Sequence, residues 1–161
     1  MGIGISSILI VDRKDAGHLF LVGCLSDYYE CVGVRTAEEA IERLSQRPFD
    51  LVITDITMLN PSGVELCVFI RKTYPDSILV AVSKVGGVQY EIEAMRQGAF
   101  EYFEEPFDSA EVCASVEHAL RHKALFSRLS SSAEPTRVAN PLLEGAYDAK
   151  GTESSSSFPL M

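Results

Sequence analysis

The chain has 161 residues, enough for one domain with a real core and too few for two ordinary ones. It is 47% hydrophobic and 23% charged with no Trp, and its net charge of −9 argues against a nucleic-acid surface or docking on an anionic membrane. No apolar run approaches the ~20 residues of a membrane span, and the N-terminus lacks the basic segment and long apolar core of a secretory signal, so a cytoplasmic protein is expected.

Short apolar runs alternate with amphipathic segments. SILIVD (7–12) reads as a strand, and the stretch from about Asp15 to Ser26 as a helix apolar over a wide arc. YECVGV (29–34) is a second strand. It is followed by TAEEAIERL, which places Ala37, Ala40, Ile41 and Leu44 on one helical face and starts on a capping-box pair, Thr36 and Glu39. DLVITD (50–55) is a third strand, and the helix SGVELCVFIRKTYP lies between Pro61 and Pro75. SILVAVS (77–83) is a fourth strand. VQYEIEAMRQG then puts Val88, Ile92 and Met95 on one stripe and ends on Gly98, a C-cap glycine. AFEYF (99–103) is the fifth strand, and the last helix opens with Asp108 and Glu111 and buries Val112, Val116, Ala119 and Leu120.

Strand and helix thus alternate five times, and right-handed crossovers give an open α/β fold with a parallel sheet and helices on both faces. Three strands are nearly apolar throughout, as parallel strands covered on both sides should be. The folded domain is expected over 1–126. From about Ser127 the chain turns rich in Ser, Pro and Gly, and 127–161 reads as a flexible tail in which NPLLEGAY is a linker remnant or a short docking motif. No DNA-binding or enzymatic output domain is expected after residue 126, so output is assigned to protein contact. MGIGIS also fits a loose myristoylation pattern at Gly2, although Ile3 to Ile5 run straight on towards a strand.

The working site of such a sheet lies at the carboxyl ends of its strands. Two strands end there on acids, Asp12 and Asp55, a third on Ser83, and the fifth leads to Glu105 before Pro106. Neighbouring carboxylates repel unless a cation sits between them, and Mg²⁺ suits such a pair because it needs few protein carboxylates. Alternatively each Asp caps the following helix. A carboxylate, a cation and a hydroxyl together can handle a phosphoryl group, with the Asp as nucleophile.

ILIVD, DLVITDITMLNPSGVEL, VAVS and EAMRQGAFEYFEEPFD, with their spacings, resemble the receiver domain of two-component response regulators over about residues 7–125. The resemblance implies a flavodoxin-like (βα)5 fold and a phosphoacceptor at Asp55, served by a histidine kinase or phosphotransfer protein. It implies Mg²⁺ held by Asp12, Asp55 and the backbone carbonyl of Thr57. It further implies a phosphoryl-binding hydroxyl at Ser83, an aromatic switch at Tyr102, a turn glycine at Gly63 and a cis peptide between Glu105 and Pro106. The output surface would be the face around residues 88–120.

The sequence departs from that pattern at four places. Arg13 stands where a second acid is usual, Glu105 where Lys is usual, Leu59 where Pro is usual, and Lys84 where a small residue is usual. The first two read as an exchange of charges between two strands that leaves the rim's net charge unchanged. In one reading Arg13 takes over phosphate binding and Glu105 becomes a metal ligand. In the other, Arg13 pairs with Asp55 or Glu105 and replaces the metal, so Mg²⁺ binds weakly or not at all and the chain is a pseudo-receiver that signals without phosphorylation. Lys84 is a solvated loop base, or it supplies the missing cation. Tyr102 is a switch or merely a packed aromatic.

Competing functions fit less well. An Asp-nucleophile phosphatase of haloacid-dehalogenase type wants DxD, and here Asp55-Ile56-Thr57 lacks the general acid. A flavin carrier wants a Ser/Thr/Gly-rich loop after the first strand, where Arg13-Lys14-Asp15 stands. The chain is therefore read as a signalling module rather than an enzyme. Cys24, Cys31, Cys67 and Cys113 show no CxxC spacing and read as reduced thiols, and His18, His118 and His122 as surface or partly buried residues.

Overall fold

Alternation along the strands builds two cores from one sheet. A computed structural model describes residues 4–13, 15–57, 63–84 and 86–133. Gly2, Leu59 and the segment 134–161, including NPLLEGAY, lie outside the described residues. The elements are β1 (Ser7–Val11), α1 (Asp15–Leu25), β2 (Glu30–Val34), α2 (Ala37–Gln46), β3 (Leu51–Asp55), α3 (Gly63–Thr73), β4 (Ile78–Ser83), α4 (Val88–Arg96), β5 (Glu101–Glu104) and α5 (Ser109–Ala133). The strands pair in parallel in the order β2-β1-β3-β4-β5, which gives the flavodoxin-like α/β fold expected from the sequence.

Odd and even positions of each strand point to opposite faces. Leu9, Val11, Val52, Leu79 and Ala81 pack with Ala37, Ala40 and Leu44 of α2, Leu66, Cys67 and Ile70 of α3 and Ala94 of α4. Ile8, Ile10, Leu51, Ile53, Val80 and Val82 pack with Leu21 and Leu25 of α1 and Val112, Val116 and Ala119 of α5. Each fully buried Leu or Ile contributes roughly 1.5–3 kcal/mol relative to exposure, so both faces hold the three central strands in place.

Helix ends follow the expected chemistry with small variations. Thr36 Oγ1 accepts from the Glu39 N–H at 3.1 Å, while the Glu39 carboxylate reaches back one residue further, to the N–H of Arg35 at 2.8 Å. Gly98, at φ 91°, closes α4: its N–H donates to Met95 O, and the Ala99 N–H to Ala94 O, both at 3.0 Å. This two-bond arrangement satisfies carbonyls that the helix leaves open, and it needs the left-handed backbone that glycine adopts freely. The peptide before Pro106 is cis.

Two expectations are corrected. The α4 stripe of Val88, Ile92 and Met95 faces solvent, with Val88 66% exposed, and α4 turns Ala94 inward with Tyr90 partly buried. Positions 90 and 94 form a second stripe of the same period, and the small Ala94 lets the helix lie close to the sheet. Further on, α5 runs through Ser127 to Ala133, beyond the point where a flexible tail was expected to begin. Contacts divide the chain inside α5, between Lys123 and Ala124.

Candidate functional site

Strand order reverses at β1, whose neighbours are β2 on one side and β3 on the other. Val11 pairs with Thr54, so the next residues, Asp12 and Asp55, emerge side by side at the carboxyl edge. Both are buried, Asp12 completely. The open sheet thereby delivers two acids to the crevice where ligands of such folds bind.

The cation between them is Lys84. From the residue after β4, its Nζ donates to both Asp12 carboxylate oxygens at 2.8 Å and to Glu105 Oε2 at 3.0 Å, and lies 3.7 Å from Asp55 Oδ2. Only 12% of the Lys84 side chain is exposed. Burial works against its charge, but the hydrogen bonds to Asp12 and Glu105 and the negative charges of Asp12 and Asp55 outweigh it, holding the ammonium above the usual lysine range.

Arg13, the cation expected here from the sequence, is exposed and pairs with none of the three acids. Arg13 lies beyond the end of β1, at a bend where the chain leaves the sheet, and its side chain is turned to solvent. Glu105 does reach the site, as the third acid around Lys84 rather than as a partner of Arg13.

Thr57 holds Asp55. Its N–H donates to Asp55 Oδ1 at 2.8 Å, and its hydroxyl makes a second, short hydrogen bond to the same oxygen. Behind it α3 begins against the backbone: a Cβ on Gly63 would fall 2.2 Å from Asp55 O and 2.4 Å from Ile56 Cα. Only glycine permits that approach.

Ser83 is fully buried at the end of β4. The Tyr102 hydroxyl of β5 donates to Glu104 Oε2 at 3.3 Å, and the same oxygen accepts from the Gly87 N–H ahead of α4. Burial, more than the nearby carboxylates, pushes the Tyr102 phenol up. The structure thus brings together Asp12, Asp55, Thr57, Ser83, Lys84 and Glu105, places Tyr102 on the strand next to that of Ser83, and leaves Arg13 outside. His18 stands apart, its imidazole lying where a Cβ on Gly33 would be.

Gly17 is a site residue that the sequence reading passed over. A Cβ there would lie 2.5 Å from Asp12 Oδ2, 2.9 Å from Glu105 Oε2 and 2.9 Å from Lys84 Nζ, so the backbone of α1 covers the cluster. Its signal was present: glycine inside a helix costs about 1 kcal/mol against alanine and calls for a packing reason.

As arranged, these residues do not fit a hydrated Mg²⁺. That ion needs near-octahedral oxygens at about 2.0–2.1 Å and retains several waters. Here an ammonium fills the centre of the carboxylates and helix backbone lies over it. Among the described residues no group of three or more His, Cys, Asp or Glu is arranged to hold a metal ion.

The family model described as "Response regulator receiver domain" matches residues 8–117. The chain belongs to this family. The receiver is 27% identical over 137 residues to the response regulator protein PilR of Pseudomonas aeruginosa, covering 85% of this chain and 29% of PilR. It is 38% identical over 93 residues to FleR of the same organism, covering 57% of this chain and 20% of FleR. Among solved structures it resembles NtrX of Brucella abortus (28% identity, TM-score 0.75, 81% of this chain and 29% of that one). It also resembles the signal receiver domain of an HD domain-containing protein of Pseudomonas fluorescens (25% identity, TM-score 0.71, 75% and 98%). The receiver spans less than a third of the length of these curated relatives.

Proposed function

We propose that this receiver works in a His–Asp phosphorelay, with Asp55 accepting a phosphoryl group from a histidine kinase or phosphotransfer protein. The observation that carries the reading is the asymmetric hold on Asp55: Thr57 occupies Oδ1 twice, while Oδ2 faces the Lys84 ammonium at 3.7 Å. An oxygen so presented can attack phosphorus. The Oδ2–P bond forms as the donor's N–P bond breaks, and the departing imidazole keeps the electron pair. Fixed positive charge beside the transferred oxygens is the main help a protein gives to such a loose transfer. Lys84 supplies that charge, and the Ser83 hydroxyl is a neutral group at the same edge.

The module is a switch, not an enzyme, and its place is the cytoplasm. The Tyr102 hydroxyl reaches Glu104, whose carboxylate also holds the Gly87 N–H, so β5 is tied to the start of α4. Output then passes by protein contact through the face around residues 88–120, where Val88, Ile92 and Met95 are exposed. With a net charge of −9, neither nucleic acid nor an anionic membrane is its partner. Among the described residues no helix is long and apolar enough to cross a membrane.

One observation favours a second reading, a pseudo-receiver that signals without phosphorylation. Lys84, rather than Arg13, is clasped by three acids beneath Gly17, so the pocket is closed in the form described. Incubation with acetyl phosphate, with and without Mg²⁺, followed by intact mass, separates the two. A gain of one phosphoryl group that vanishes in Asp55→Asn supports the acceptor role. No gain at any Mg²⁺ concentration supports the pseudo-receiver.

A further inference from the structure

We infer that Lys84 is a tethered replacement for the divalent cation of this pocket, so that its charge state is set by the chain itself and not by Mg²⁺ supply. Three observations carry this. The Lys84 ammonium touches Asp12 and Glu105 and lies within ion-pair distance of Asp55, so it already serves every carboxylate of the cluster. Both oxygens of Asp12, the residue with no exposed surface at all, are given to it. The space a metal's waters would need is filled from above by α1 at Gly17, where even one added carbon would collide with Asp12, Glu105 and Lys84.

The chemistry favours the tethered ion over a bound one. A divalent ion must shed tightly held water and compete from solution, whereas the lysine is present at fixed concentration on its own strand end. It also brings one charge instead of two, so the cluster keeps a net negative charge in the resting form. Removing the ammonium leaves the Asp12, Asp55 and Glu105 carboxylates without a cation; their oxygens are the hard type that Mg²⁺ and Mn²⁺ accept, and they would have to draw closer than they stand around Lys84 to hold one. This inference stands whether or not Asp55 is phosphorylated.

Mn²⁺ is the probe, read by the loss of its free EPR signal and by NMR broadening at Asp12 and Asp55, with Mg²⁺ as competitor. Wild-type chain should retain no Mn²⁺ in the millimolar range. Lys84→Ala should bind it on the order of a hundredfold more tightly, since a unit charge within 4 Å of the ion has been removed. Adding Asp12→Asn to that variant should abolish the gain. Binding by wild type equal to that of Lys84→Ala overturns the inference, as does a folded Lys84→Ala that stays blind to Mn²⁺. Lys84→Gln serves if the alanine variant does not fold. The wild type alone also decides. A Lys84 ammonium NMR signal protected from exchange at neutral pH and unmoved by Mg²⁺ supports the tethered cation, and an unprotected or Mg²⁺-displaced signal overturns it.

Discussion

Two lysine–carboxylate contacts sit at opposite ends of the same sheet. At the amino edge Asp50 is held by neutral donors: the Ser7 N–H gives it a hydrogen bond at 2.8 Å and the Ser7 hydroxyl another at 3.3 Å, while Lys123 stands 3.9 Å away. At the carboxyl edge a single Lys84 touches or faces three acids, two of which, Asp12 and Asp55, are almost wholly buried. Asp50 keeps its two Ser7 donors without its lysine, whereas Lys84 takes both carboxylate oxygens of Asp12. The amino-edge cluster closes the fold, while the carboxyl-edge cluster retains surplus negative charge, which costs stability and is available for chemistry. The difference yields an ordered set of expectations.

The largest effect belongs to Lys84. Lys84→Met leaves buried carboxylates without their cation and should cost about 3 kcal/mol by urea unfolding, the low end for a broken buried pair because the side chain keeps some exposure. Millimolar Mg²⁺ should return part of that loss in the variant and change nothing in wild type. The same contact predicts a pH signature. Lys84 titrates above its ordinary value of 10.5 in the folded chain. Its stabilisation is therefore fully present below that value and fades as pH climbs through the higher folded-state value. Urea midpoints followed into the alkaline range should show this step in wild type and not in Lys84→Met.

Gly17→Ala comes next. In an ordinary helix interior this change stabilises by about 1 kcal/mol. Here the new methyl would press on Asp12, pinned at the strand end, as well as on the flexible ends of Glu105 and Lys84. Overpacking of this kind costs about 1–3 kcal/mol, so the net change should be a loss. A rise in stability would mean that α1 does not cover the cluster. At the other edge, Asp50→Ala should cost about 1 kcal/mol through the donors it strands at Ser7, with no change in Mn²⁺ binding at the far edge.

How much of this was legible in the sequence depended on whether a period or an end-point constrained the residue. Asp12 and Asp55 stood out because apolar runs ended on them, and parallel register placed them together. The Thr36–Glu39 start of α2 and the Gly98 stop of α4 were legible because their bonds are local. Arg13 was misplaced because its adjacency to Asp12 was weighed above the bend by which the chain leaves the sheet after β1. Lys84 was legible only as one of two options, since a long side chain on a short loop can turn to water or to the pocket, and local pattern does not choose. The α4 stripe failed for a related reason: two faces of one helix both had the helical period, and the packing of Ala94 decided between them. For α5, a Ser-rich continuation was read as tail, yet serine is only mildly unfavourable in a helix, and the helix runs on to Ala133.

The smallest expected effect tests the comparison most sharply. Lys123 has the same chemical partner type as Lys84, at 3.9 Å from one carboxylate oxygen, with Asp50 41% exposed. Partly hydrated pairs of this geometry contribute 0.2–1 kcal/mol or nothing, about what side-chain ordering takes away. Lys123→Ala should therefore lower the unfolding free energy from urea titration by no more than about 0.5 kcal/mol, and added salt should erase even that. If Lys123→Ala instead cost as much as Lys84→Met, the contrast between the two edges would fail. The number and burial of the surrounding acids would then no longer be what separates a structural ion pair from a functional one in this sheet.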